Sequence, residues 1–264
     1  MRCFFSRTPI LHDTTRIVAD AFYRASFFDD STMVCRLHIG SLTNFDGPIH
    51  SCAIFKQRCN GQSGRYGGTD YQVDPLPSNE YRRLKKVFEP DVRSSYRVAW
   101  QQDMAATIEC VEKGDKSQQI HRRMEHEMLK FKLLGPYATQ LIIERLLPVQ
   151  MTITEPFFEV QRETRRITIS EDVALDLVFE ELVDTSLGGT GWKCYVEIPD
   201  FVHVLHEGHR ELDKLVETQP IINNEPTQLD ITKTIFWRYA EGLLRLQTAV
   251  DRAITRRPQL SGLP

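Results

Sequence analysis

Between Phe158 and Pro199 apolar and polar positions alternate with a period of two, the spacing of side chains on a β-strand. In Phe158–Ile169 the even positions carry Arg162, Thr164 and Arg166. In Val173–Glu180, Val173, Leu175, Leu177 and Phe179 take one face, and Asp176 and Glu180 the other. After the turn-like stretch Ser186-Leu187-Gly188-Gly189-Thr190-Gly191, the run Lys193–Ile198 sets Lys193, Tyr195 and Glu197 opposite Cys194, Val196 and Ile198. Three strands are therefore predicted, and these charges line one surface of a sheet. That surface either faces water or lines a polar interior.

The same reading extends along the chain. Asp13 is a plausible N-cap, and Ile17, Val18, Ala21, Phe22 and Ala25 recur at helical spacing, which predicts a helix at about 14–27. Met33–Gly40 reads as a strand with Arg36 and His38 together, opposite Cys35, Leu37 and Ile39. The glycine-rich stretch 60–68 lacks the Gly-Lys-Ser/Thr ending of a phosphate loop and reads as a plain loop. Ser78 is placed to cap a short helix with the stripe Tyr81, Leu84 and Phe88, stopped by Pro90; its basic face, Arg82, Arg83, Lys85 and Lys86, reads as a solvated one. Tyr96–Gln101 and Met104–Glu112 read as a strand pair, followed by a turn at Gly114-Asp115. Gln119–Leu134 fits a helix by Ile120, Met124 and Met128, and a strand by Lys130-Phe131-Lys132-Leu133. Thr139–Leu147 is a strand carrying Glu144, closed by Pro148. The last helix, at about 231–255, is predicted from an Asp230 cap and the stripe Ile235, Tyr239, Leu243, Leu246, Val250 and Ile254.

With 264 residues, 41% hydrophobic and 26% charged, the chain can bury a core without crosslinks, and a single domain over 1–264 is expected. The net charge of −3 argues against nonspecific DNA binding. No apolar stretch approaches the ~20 residues of a membrane helix, so no membrane partner is expected. The six cysteines contain no Cys-x-x-Cys pair and read as free thiols in a reducing intracellular compartment. Arg2, Ser6 and Arg7 have the flavour of a mitochondrial transit peptide, although Asp13 and Asp20 soon follow. His203-x-x-His206-Glu207-x-His209 lacks the His-Glu-x-x-His order of a zinc protease helix and reads as an ordinary histidine set.

Chemistry therefore rests on the charged strand face. A polyphosphate bound there would need cations to grip it and converging carboxylates to hold a divalent metal. Arg162 and Arg166 supply planar forks that pair with phosphate oxygens, and Asp176, Glu180 and Glu197 supply oxygen ligands of the kind Mg and Mn take. A half-exposed antiparallel sheet produces the same alternation, so the pattern by itself leaves both readings open.

The order of motifs resembles the metal-dependent messenger RNA 5′-triphosphatases of fungi, protozoa and large DNA viruses, the triphosphate tunnel group. Val34-x-Arg36-x-His38-x-Gly40 is similar to that group's first strand, Arg162-x-Thr164-x-Arg166 to its Arg-x-Lys-x-Arg strand, and Leu175-Asp176-Leu177-Val178 to its hydrophobic-Asp-Leu-Thr strand. Tyr195-Val196-Glu197 is similar to its Tyr-Glu-x-Glu strand, and Leu141-Ile142-Ile143-Glu144 leading to Pro148 to its strand ending in Glu and Pro. The resemblance spans roughly residues 33–250.

It implies an α+β fold on a closed or nearly closed antiparallel barrel of about eight strands, at about 33–199, flanked by helices at the N- and C-terminal ends. It implies removal of the γ-phosphate of RNA or an NTP, linked to mRNA capping or RNA processing, with Mg or Mn as cofactor. The implied catalytic residues are Glu197 and Asp176, the metal ligands Glu197, Asp176, Glu144 and Glu180, and the phosphate-binding residues Arg162, Arg166 and Lys193. The positions matching the family's two metal-binding glutamates of the first strand are Val34 and Arg36, so Arg36 and His38 are candidates to block the tunnel, with Arg36 pairing with Glu197 or Asp176. A catalytically degenerate scaffold is the alternative, since two small subunits of the Mediator head resemble these enzymes without catalysing. A further alternative is an unrelated sheet protein with a solvated charged face. Expected partners are other protein subunits and 5′-triphosphate RNA or an NTP, in the nucleus or, failing that, the mitochondrion.

Overall fold

The computed structural model describes residues 7–27, 33–43, 54–57, 72–100, 107–113, 117–131, 137–148, 157–182, 191–218 and 231–255. Among them are four helices, α1 (Arg7–Ala25), α2 (Ser78–Phe88), α3 (Phe201–Thr218) and α4 (Ile235–Thr255). The strands are β1 (Met33–Thr43), β2 (Ile54–Gln57), β3 (Gln72–Pro75), β4 (Val92–Trp100), β5 (Thr107–Lys113), β6 (Ser117–Phe131), β7 (Tyr137–Pro148), β8 (Phe157–Ser170), β9 (Val173–Leu182) and β10 (Trp192–Glu197). The chain is α+β, with one antiparallel sheet and flanking helices.

Pairing runs in the order β10-β9-β8-β4-β5-β6-β7-β1, and β1 also pairs with β10 from Arg36↔Glu197 to Ile39↔Cys194. β3 extends the sheet beside the far end of β1, and β2 pairs with β6. Alternation along the strands gives the sheet two chemically distinct faces. Val173, Leu175, Leu177 and Phe179 of β9, Cys194 and Val196 of β10, and Cys35, Leu37 and Ile39 of β1 are all buried on the side that packs against helices. α4 lies close to this face: a Cβ placed on Gly242 would meet Val173 at 2.9 Å and Leu175 at 3.7 Å. Tyr81 of α2 meets Phe179 edge to face at 5.7 Å. At ~25 cal/mol per Å² of apolar area removed from water, this continuous layer is what makes the fold favourable.

Several expectations need correction. α1 begins at Arg7, well before Asp13, and ends at Ala25. Ser78 is the first residue of α2 rather than its cap; Pro77 sits at the cap position with φ −54°, and its carbonyl accepts the amides of Glu80 and Tyr81. The helix closes on Glu89, left-handed at φ 41°, whose N–H reaches the Lys85 carbonyl. Its basic face is only partly solvated: Arg83 donates to the Ile254 carbonyl at 2.6 Å, and Lys85 pairs with Glu163 at 2.9 Å. The ambiguous segment lies in the long strand β6 as far as Phe131, with 132–134 outside the described residues; both edges of β6 are taken, by β5 and by β7, with a register shift between Glu125 and Glu127. α3 was not foreseen as a helix. α4 starts at Ile235 after a 3₁₀ turn at Ile231–Lys233, and its first amide donates to the Glu211 carboxylate of α3 at 2.5 Å. Asp230, Met1–Ser6, the loop 60–68, the turn Gly114-Asp115 and the stretch 186–190 lie outside the described residues.

Candidate functional site in the sheet interior

Strand register sorts the charged face into rows. Arg36 of β1 stands opposite Glu197 of β10, Glu197 opposite Asp176 of β9, and Asp176 opposite Arg166 of β8. One step along lie His38, Tyr195, Val178 and Thr164, and one step further Lys193, Glu180 and Arg162. Side chains from four strands thus meet on the face opposite the helices. The period of two guarantees this once the registers are set.

At the centre is Glu197. Arg36 Nε donates to its Oε2 at 2.7 Å, and an Arg162 terminal nitrogen donates to its Oε1 at 2.9 Å, so both carboxylate oxygens accept from guanidinium groups. The other end of Arg36 lies 3.7 Å from Glu144 on β7. Beneath both arginines is the ring of Tyr195, with Arg36 Cζ 5.2 Å and Arg162 Cζ 5.9 Å from its centroid. The Tyr195 hydroxyl donates to Glu180 at 2.5 Å, and the His38 ring lies 5.1 Å away.

Tyr195 is 1% exposed although the helices pack on the other face, and Arg36, Glu144 and Glu180 are buried with it. The alternative of a charged face meeting water is therefore wrong for these residues.

Electrostatics follow from that burial. Burial pushes the Glu197 carboxyl upward, but the charges of Arg36 and Arg162, with their hydrogen bonds, outweigh it and hold the group at about 2. Burial likewise opposes charge on Arg162, and neighbouring Tyr195 and Glu197 reverse this, raising it overall. The Tyr195 phenol is pushed well up by burial, so it stays a neutral donor.

The other expected site residues are placed differently. Arg166 and Asp176 form a separate two-pronged pair, at 2.8 and 3.1 Å, with the Arg166 side chain 57% exposed. Lys193 is exposed and makes no ion pair among the described residues. Val34 stands opposite Glu144 in the β1–β7 register. His203 and His206 lie exposed on α3, while His209 contacts Phe27 at 5.4 Å and the Ser26 hydroxyl at 3.3 Å. Tyr195 entered the sequence reading as part of an alternating strand and of the Tyr195-Val196-Glu197 motif, without a role of its own; an aromatic midway between Lys193 and Glu197 on a charged face was the signal that it forms the floor of the cluster.

In this arrangement the four carboxylates are engaged by side chains of the protein itself. Glu197 and Asp176 each give both oxygens to guanidinium donors, Glu180 accepts from Tyr195, and Glu144 faces Arg36. Among the described residues no three His, Cys, Asp or Glu side chains gather as a ligand set. A guanidinium in their midst repels an added cation, the more so away from water.

The fold is thus an antiparallel sheet with arginines and carboxylates on one face and helices packed against the other. Solved structures agree. The chain is similar to the RNA triphosphatase Pct1 of S. pombe with a TM-score of 0.61 at 10% sequence identity, over 91% of this chain and 93% of that one. The structure of that enzyme in complex with the Spt5 CTD matches with the same values. No protein-family model matches the sequence, and no curated protein does.

Proposed function

We propose that this protein is a divergent relative of the RNA 5′-triphosphatases that keeps their tunnel as a closed eight-stranded barrel but has lost the metal site. It acts as a noncatalytic interaction subunit in mRNA capping, RNA processing or transcription, in the nucleus. The observation that carries this reading is the double capture of Glu197 by Arg36 and Arg162. The Glu197 carboxylate is already neutralised and oriented by two guanidinium groups, one on each oxygen, which repel a metal ion approaching its remaining lone pairs, and Val34 and Arg36 stand where the resemblance places two glutamates. Protein partners suit a tunnel fold without its chemistry, and the Pct1 neighbour was itself solved with a bound Spt5 CTD.

A second reading keeps the enzyme. It is favoured by the four carboxylates Glu144, Asp176, Glu180 and Glu197 sharing a face with Arg162 and Arg166. Here Glu197 and Asp176, with Glu144 and Glu180, would take Mg or Mn, while Arg162, Arg166 and Lys193 grip the triphosphate of RNA or an NTP; the ion would supply an activated water.

Phosphate release from triphosphate-ended RNA and from ATP, with Mg or Mn, separates the two. No turnover above a protein-free control with either ion is expected. Turnover abolished by both Asp176→Ala and Glu197→Ala would overturn the noncatalytic reading and establish the enzyme.

A further inference from the structure

We infer that Arg36 is an internal cation that locks β1 against β10 and thereby closes the ring of strands, whatever ligand or partner the protein serves. The chain makes most of the sheet through neighbours in sequence: β5–β6, β6–β7, β8–β9 and β9–β10 all join consecutive strands. Closure is different. β1 must be captured between β7 and β10, and the residues joined across the second junction, Arg36 and Glu197, are 161 apart in sequence. Such a contact carries a loop-closure cost that hairpins avoid.

The β1–β10 ladder is also short. It runs from Arg36↔Glu197 to Ile39↔Cys194, against Met33↔Arg145 to Ser41↔Tyr137 on the β7 side of the same strand. Backbone pairing at this junction is limited, and one more hydrogen bond, from the Ile198 amide to the Cys35 carbonyl at 3.2 Å, extends it.

Side chains on the inner face supply what the ladder lacks. The two inner cross-strand pairs at the junction are Arg36–Glu197 and His38–Tyr195. Arg36 alone spans it in three directions: to Glu197 of β10, over the Tyr195 ring of β10, and back across β1 to Glu144 of β7. Arg162 draws Glu197 toward β8 from the opposite side. A planar guanidinium can make these contacts together because its donors fan out in one plane, whereas an ammonium is a point charge. The cation is thus part of the chain, and the carboxylates of β7 and β10 are neutralised without an added ion.

Native-state amide hydrogen exchange on the full chain tests this, comparing wild type, Arg36→Ala and Arg36→Lys. Removing one partner of a buried pair leaves the others uncompensated, so in Arg36→Ala the Ile198 amide and the β1–β10 ladder are expected to exchange about a hundredfold faster. Amides of the β8–β9 hairpin should keep their protection, and Arg36→Lys should fall between. Uniform acceleration of all strands, or an unchanged junction, overturns the inference. Should Arg36→Ala fail to fold, Arg36→Lys and Glu197→Gln decide it: the junction must loosen ahead of the β8–β9 hairpin in both, and equal loosening refutes the lock.

Discussion

Glu197→Gln isolates the electrostatics of the sheet interior. Burial raises the Glu197 carboxyl, yet Arg36 and Arg162 bring it down to about 2 from an ordinary 4.5. A gap of that size corresponds to about 3 kcal/mol of preference for the ionised group in the folded state. Between those two values the unfolded chain binds more protons than the folded one. The stabilisation is therefore fully present above about pH 5 and is lost as the pH falls through 4.5 toward 2. Glutamine preserves shape and one acceptor, but it leaves the buried guanidinium of Arg36 and the half-buried one of Arg162 without their counter-charge and turns an amide donor toward one of them.

The variant should accordingly be less stable than wild type by about 3 kcal/mol near neutrality, and the gap should hold down to about pH 5 and narrow below it. Urea unfolding at about pH 7, 5 and 3, with the slopes compared to confirm that equal surface is exposed, measures it. A variant within about 0.5 kcal/mol of wild type near neutrality, or a deficit that does not change with pH, would show that the arginines do not hold Glu197 ionised and refute the argument.

Two further substitutions probe the helical layer. Asp251 of α4 is buried, hydrogen-bonded to Gln247 at 2.6 Å, and pushed up by that burial to about 7 from an ordinary 3.8, so ionising it costs the folded state. The penalty is absent below about pH 4 and complete above about pH 7, and Asp251→Asn should gain up to about 4 kcal/mol at mildly alkaline pH and little at pH 4, read from melting curves across that range. Gly208 of α3 faces Phe236 of α4 so closely that an added Cβ would overlap the ring; Gly208→Ala should lose about 1–3 kcal/mol in urea titration, and an unchanged midpoint would mean that the two helices can part freely.

Much of the site was legible because alternation is local. Residues two apart on a strand share a face whatever the rest of the molecule does, so Arg162 with Arg166, Asp176 with Glu180, and Arg36 with His38 could be grouped on sight. The stripe of α4 was legible for the same reason, its 3.6-residue period being written into neighbouring positions. Less local features were not. β6 has side-chain spacing compatible with either structure, and two partner strands, both found by folding, decided for the sheet. α3 carries Phe201, Val204, Leu205 and Leu212 at helical spacing on its buried side, but the histidines between them drew the eye to chemistry that the fold leaves mostly at the surface.

The partner of Arg36 marks the boundary most clearly. From sequence, Glu197 and Asp176 were equal candidates, since both lie on the charged face of adjacent strands. The tertiary structure gave Glu197 to Arg36 and Arg162, and Asp176 to Arg166. Which face a side chain takes depends on backbone geometry within a few residues. Which residue it meets depends on the register between residues 161 positions apart, and that is set only when β1 pairs with β10 and the apolar face settles against its helices.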